Sequence, residues 1–128
     1  MNKLYKNLQE LLEQKIDLYE KFIQLLNEEW KCVTDYSYDG LQEIIAKKND
    51  QVMQMQVLEK NRSRLMKKIE SDLKVGQSGL TLKKLIQNKD NPYRINLSKC
   101  RNKLLSKIQI INLLSKKIKT LMDHSALS

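Results

Sequence analysis

The sequence predicts an all-α protein, an antiparallel bundle of three long helices plus one short helix. Apolar residues recur at steps of three and four along three long segments, a spacing that stacks side chains on one face of an α-helix. Only three glycines and one proline punctuate 128 residues, so few places can break a helix. Leu, Lys, Gln, Glu and Met prevail, and these straight side chains lose little rotamer freedom in a helix. A chain of this length is one domain, read as a helical hairpin over 1–74, a loop and short helix over 75–91, and a C-terminal helix over 92–123.

The first helix is predicted from about residue 2 to about 35. Leu12, Ile16, Tyr19, Ile23, Leu26, Trp30 and Val33 form an unbroken seam. Leu4, Leu8, Leu11, Leu18, Phe22 and Leu25 form a second row beside it, broken by Lys15. Two rows make a stripe wide enough to face two partner helices. TDYSYDG ends the helix, because its Thr, Asp and Ser side chains compete for backbone hydrogen bonds and Gly40 disfavours helix. Asp39 is a candidate N-cap for the second helix, with Gln42 completing a capping box and Ser37 as a rival start.

The second helix is predicted from about 40 to 74. Its seam runs Leu41, Ile45, Lys48, Val52, Met55, Glu59, Arg62, Met66, Ile69 and Leu73. The short link forces an antiparallel hairpin with Trp30 packed near the turn. Folding the chain about residue 37 sets Glu59 level with Lys15, and Lys48 within about one turn of Glu29. A polar seam residue costs stability unless paired, yet it fixes register. The alternative is that Lys48 and Arg62 snorkel with only their stems packed.

Residues 75–81, VGQSGLT, interrupt the periodicity, with Gly76 as a C-cap for the second helix. Thr81 can cap the short helix LKKLIQ, whose Leu82, Leu85 and Ile86 close one end of the hairpin. Asn91 before Pro92 reads as an N-cap followed by proline at the first helical position. The last helix then carries the row Leu97, Cys100, Leu104, Ile108, Ile111, Leu114, Ile118 and Leu121, and a second row of Leu105, Ile110 and Leu113. The final DHSALS is expected to fray.

Composition narrows the function. No stretch approaches the roughly 20 apolar residues of a membrane span, and MNKLYKNLQE lacks the apolar core of a secretory signal. Cys32 and Cys100 read as free thiols, in keeping with a reducing cytoplasm. Residues 1–73 carry 12 basic and 13 acidic side chains, a net of −1; residues 74–128 carry 12 basic side chains against Asp90 and Asp123, a net of +10. The second half could therefore attract an acidic protein, a phosphate backbone or an anionic membrane.

Catalytic signals are weak. His124, the sole histidine, has no metal-ligand spacing with Cys32 and Cys100, and no phosphate loop or nucleophile elbow occurs. The expectation is a non-enzyme with no cofactor and no metal. Arg94, Lys99, Arg101, Lys103, Lys107, Lys116, Lys117 and Lys119 raise nucleic acid as a partner. They scatter around the helix, without helix-turn-helix spacing or aromatic platform, which argues instead for a solvated face.

The order of features resembles the flagellar export chaperones of the FlgN type. The resemblance rests on Leu25, Leu26 and Glu28 or Glu29, then Leu41, Lys48, Leu58, Arg62 and Leu65, then the TLKKLI helix and Asn112, Leu113 and Leu114 in INLLSKKI. It spans about residues 8 to 118 and lies in order and spacing. It implies a cytoplasmic type III secretion chaperone that binds the C-terminal helices of hook-associated proteins. Such a chaperone blocks premature assembly and delivers its client to the export gate or ATPase. It also implies binding determinants over roughly residues 97 to 122. Two apolar rows on a terminal helix exceed what a three-helix core can bury, so one is left for a client or hidden in a homodimer. The candidate client-binding residues are thus Leu105, Ile110, Leu113, Lys116, Lys117 and Met122. The alternatives are a basic helical nucleic-acid-binding protein and a structural coiled-coil oligomer.

Overall fold

The computed structural model describes residues 2–73 and 79–124, which form four helices and no strand. These are α1 (Asn2–Thr34), α2 (Tyr38–Asp72), α3 (Leu82–Gln87) and α4 (Arg94–Asp123). The expected C-cap Gly76 and the expected fraying beyond residue 124 lie outside the described residues.

The hairpin turn is tighter than the capping pattern predicts. Tyr36 adopts a left-handed backbone with φ of +53°, which lets the Ser37 N–H donate to the Cys32 carbonyl at 2.8 Å. The Ser37 carbonyl then accepts from Leu41 N–H, so Ser37, not Asp39, holds the N-cap position, although its hydroxyl makes no cap bond. Gln42 does not complete a capping box; its amide donates to the Tyr38 hydroxyl at 2.9 Å. Gly40 lets the helices approach here, since a Cβ at that position would sit 2.8 Å from Ser37 Oγ and 2.9 Å from Cys32 Sγ.

The start of α4 also differs from expectation. Asn91 is buried, and its side chain works across the turn: Oδ1 accepts from Tyr93 N–H at 2.9 Å, while Nδ2 donates to the Leu85 carbonyl at 3.1 Å. This Asx turn holds Pro92 in the corner, so α4 begins at Arg94 rather than at the proline. For α3 the expected cap is present, with Thr81 Oγ1 accepting from Lys84 N–H at 3.2 Å.

α1 is the central element, and its two apolar rows explain why. It packs antiparallel to α2 on one side and against α4 on the other. α4 runs parallel to α1: Tyr5 and Tyr93 meet at one end with ring centroids 6.3 Å apart, and Glu20 pairs with Lys107 farther along. The main core lies at that first end. Tyr5, Leu8 and Leu12 of α1 join Met66 and Ile69 of α2, Leu85 of α3, and Leu97, Cys100 and Leu104 of α4. Each leucine fully buried there contributes about 1.5–3 kcal/mol relative to exposure.

Away from this end the bundle is open on one side. No Cα of α2 lies within 8 Å of one in α4. Two seams consequently diverge from the predicted rows. In α2, Ile45 and Val52 are exposed, and the buried positions cluster near its ends, at Leu41, Ile44, Met66 and Ile69. In α4, Ile108 is exposed, while Ile111, Leu114 and Leu121 are only half-buried. A third long helix cannot bury a full row where it contacts only one neighbour.

An apolar groove between the first and last helices

The polar residues predicted in the hairpin seam all have partners. Lys15 Nζ lies 3.5 Å from a Glu59 carboxylate oxygen, and Lys48 Nζ lies 2.9 Å from Glu29 Oε1. Glu29 is only 4% exposed, so its cation is a structural necessity there: an unpaired carboxylate at such a site costs several kcal/mol. Lys15 and Lys48 also lie over the rings of Tyr19 and Phe22, at 5.6 and 5.8 Å. Arg62 does not merely snorkel. It grips Glu59 one turn away on its own helix with Nε and a terminal nitrogen.

The Arg62 hydrogen bond, together with the charges of Arg62 and Lys15, lowers the Glu59 pKa below its ordinary 4.5 despite partial burial. A carboxylate with a depressed folded pKa stabilises the fold above its unfolded pKa, and that contribution disappears as pH falls through the folded value. Because the pair is half-exposed, Glu59→Gln is expected to cost only about 0.2–1 kcal/mol at neutral pH. Urea titrations of both proteins should converge as pH drops below the ordinary glutamate range; a gap that persists in acid would mean that Glu59 acts through packing instead.

On the other side of α1, an open groove of about 750 Å³ runs between the C-terminal turns of α1 and α4. Asn27 and Trp30 form one wall, and Leu113, Leu114, Thr120 and Leu121 form the other, with Lys116, Lys117 and His124 around it. Among the described residues, no carboxylate lines it. Trp30 is 37% exposed, with its ring left partly bare beside α4 rather than sealed into the hairpin. Leu113 is 62% exposed, an unusual state for a leucine on a helix already packed on its other side. Ile110, also exposed, precedes Leu113 and Leu114 by three and four residues and extends the same flank by one turn.

The structure divides the six candidate residues. Leu113, Lys116 and Lys117 line this groove, and Ile110 continues it. Leu105 is exposed but lies about 140° around α4 from Ile110, on a different flank. The step of five residues between them breaks the helical rule that a single row requires. Met122 lines a separate hollow with Glu29, Lys48, Ser115, Ile118, Lys119 and Asp123. Trp30 is the wall residue that the periodicity assigned to the core; its being the chain's single tryptophan, amphipathic and large, is the signal that singles it out.

Other chemistry is sparse. Cys32 is half-buried and Cys100 buried, both as free thiols; burial raises the Cys100 pKa and so disfavours the reactive thiolate. Among the described residues, no three metal-ligating side chains of His, Cys, Asp or Glu gather in one place, and no helix is long and apolar enough to cross a membrane.

The family model described as FlgN protein matches residues 1–128, the whole chain. No curated protein and no solved structure matches it.

Proposed function

We propose that this chain, which belongs to the FlgN family of flagellar export chaperones, holds the C-terminal helix of a hook-associated filament-junction protein in the groove between α1 and α4. The family is one of chaperones, not of enzymes. The observation that carries the finer reading is the bare apolar flank of α4: Ile110 and Leu113 face outward, whereas Leu97, Cys100, Leu104 and Ile118 of the same helix are buried. An amphipathic client helix with apolar anchors at helical spacing fits such a surface. The lysine rim and the lack of a lining carboxylate favour clients with acidic residues flanking those anchors.

In this reading the chaperone acts in the cytoplasm as a single helical domain. Occupying the client's terminal helix covers the surface that would otherwise drive premature assembly. The loaded complex then passes to the export gate or ATPase. The hairpin supplies a rigid back, with register fixed by Lys15–Glu59 and Lys48–Glu29.

Trp30 reports directly on the groove. Titrating in a tryptophan-free peptide from the C-terminal helix of a hook-associated protein of the same organism should shift Trp30 emission to shorter wavelength and saturate. The affinity should change little between low and physiological salt. Counterion release would instead lower it by about 10³–10⁵ over that range if six or more phosphate-like contacts dominated. Unchanged emission at saturating peptide, or such a steep salt dependence, would overturn the reading.

A further inference from the structure

A second concave surface lies at the opposite end of α4, about 27 Å from Leu113 along the helix. α3 and α4 meet there in a cleft of about 490 Å³. Ile86 and Ile95 supply its apolar surface, and Lys89, Arg94 and Lys99 supply its charge. Ile95 is 68% exposed, the barest of the large apolar side chains among the described residues.

The three cations, like most basic side chains among the described residues, stand without a carboxylate partner, and here they gather around a single cleft. Lys15, Lys47, Lys48, Arg62 and Lys107 each pair with a carboxylate. Lys89, Arg94 and Lys99 make no ion pair among the described residues, and no acidic side chain lines the cleft; Asp90, adjacent to Lys89 in sequence, stays outside it. Three uncompensated positive charges around a bare isoleucine repel one another and present an apolar contact to water. Both costs are relieved by one ligand that carries negative charge on either side of an apolar side chain.

We infer that the α3–α4 cleft is a second docking site, distinct from the client groove, for an acidic peptide segment of a partner protein that places one apolar side chain between Ile86 and Ile95. The anchor would sit against the isoleucines while flanking carboxylates meet Lys89, Arg94 and Lys99. Single-stranded nucleic acid fits less well, since no aromatic side chain lines the cleft to stack a base. A bilayer fits less well too, because an interfacial helix needs a broad continuous apolar face, whereas this cleft offers only Ile86 and Ile95 among polar and charged side chains.

The test uses the full chain and a labelled synthetic peptide with one leucine flanked by glutamates on both sides, followed by fluorescence anisotropy. Comparison probes are the leucine-to-alanine peptide, the lysine-for-glutamate peptide, vesicles of mixed phosphatidylglycerol and phosphatidylcholine, and a single-stranded oligonucleotide. The acidic leucine peptide should bind, and lose about tenfold or more in affinity, some 1.4 kcal/mol, both with Ile95→Ser and with the Arg94→Glu, Lys99→Glu double variant. Lys116→Glu with Lys117→Glu, at the other end of α4, should leave this binding intact. These positions are exposed, so circular dichroism should show unchanged helicity. No peptide binding at millimolar concentration overturns the inference. So does binding indifferent to Ile95 and to the peptide leucine, or tighter binding of the vesicles or oligonucleotide than of the peptide. Trp30 emission with the client helix is read separately, so failure here leaves the client groove standing.

Discussion

Leu97→Ala is expected to lower the stability of the fold by about 2–5 kcal/mol. Leu97 is fully buried where all four helices converge, among Tyr5, Leu8, Leu12, Met66, Ile69 and Leu85. Truncation removes its transfer free energy and leaves a cavity that four elements would have to move together to fill. A loss of about 3 kcal/mol corresponds to a fall in Tm on the order of 10 °C for a chain of this size. Leu105→Ala, on the same helix but exposed, should stay within about 0.5 kcal/mol. Urea unfolding of the two variants side by side reads the difference. Equal midpoints would mean that the core does not lie where the four helices converge.

That contrast also marks how far the sequence carries. Helix count, order and antiparallel hairpin follow from steps of three and four, which depend on local geometry alone. The pairing of Lys15 with Glu59 and of Lys48 with Glu29 follows from folding the chain about its turn, because a short link leaves little freedom in register. The ends of helices were less legible. Asp39 and Asn91 both look like N-caps by residue type, but a left-handed Tyr36 favours the rival start at Ser37, so that α2 begins at Tyr38, and an Asx turn delays the second to Arg94. Both outcomes depend on backbone turns that residue identity does not specify.

The candidate surface was legible only in part. Apolar excess on the last helix is visible in the sequence, yet which residues stay bare depends on how far α4 stands from α2. Ile108 belongs to the predicted core row and is exposed because that neighbour is missing. Leu105 is near Ile110 and Leu113 in sequence, but helical geometry sets it on a different flank from Ile110. Trp30 continues a perfect seam, and only the parallel course of α4 beside α1 turns it into the wall of a groove.

In the proposed function, α4 holds its client through the flank bearing Ile110 and Leu113, beside Trp30. The most direct measurement is client-peptide affinity of the Ile110→Glu, Leu113→Glu double variant, with its thermal melt recorded in parallel. Both side chains are exposed, so the melt should move by no more than a few degrees. Each glutamate removes an apolar anchor and sets a charge where the client must exclude water. Affinity should therefore fall about 100-fold or more, equivalent to roughly 2.8 kcal/mol. A variant that unfolds would place these residues in the core. A variant that melts normally and binds normally would move the site elsewhere, and if binding were then lost on changing Lys116, Lys117 and Lys119 to glutamate, the contact would be electrostatic and the groove reading contradicted.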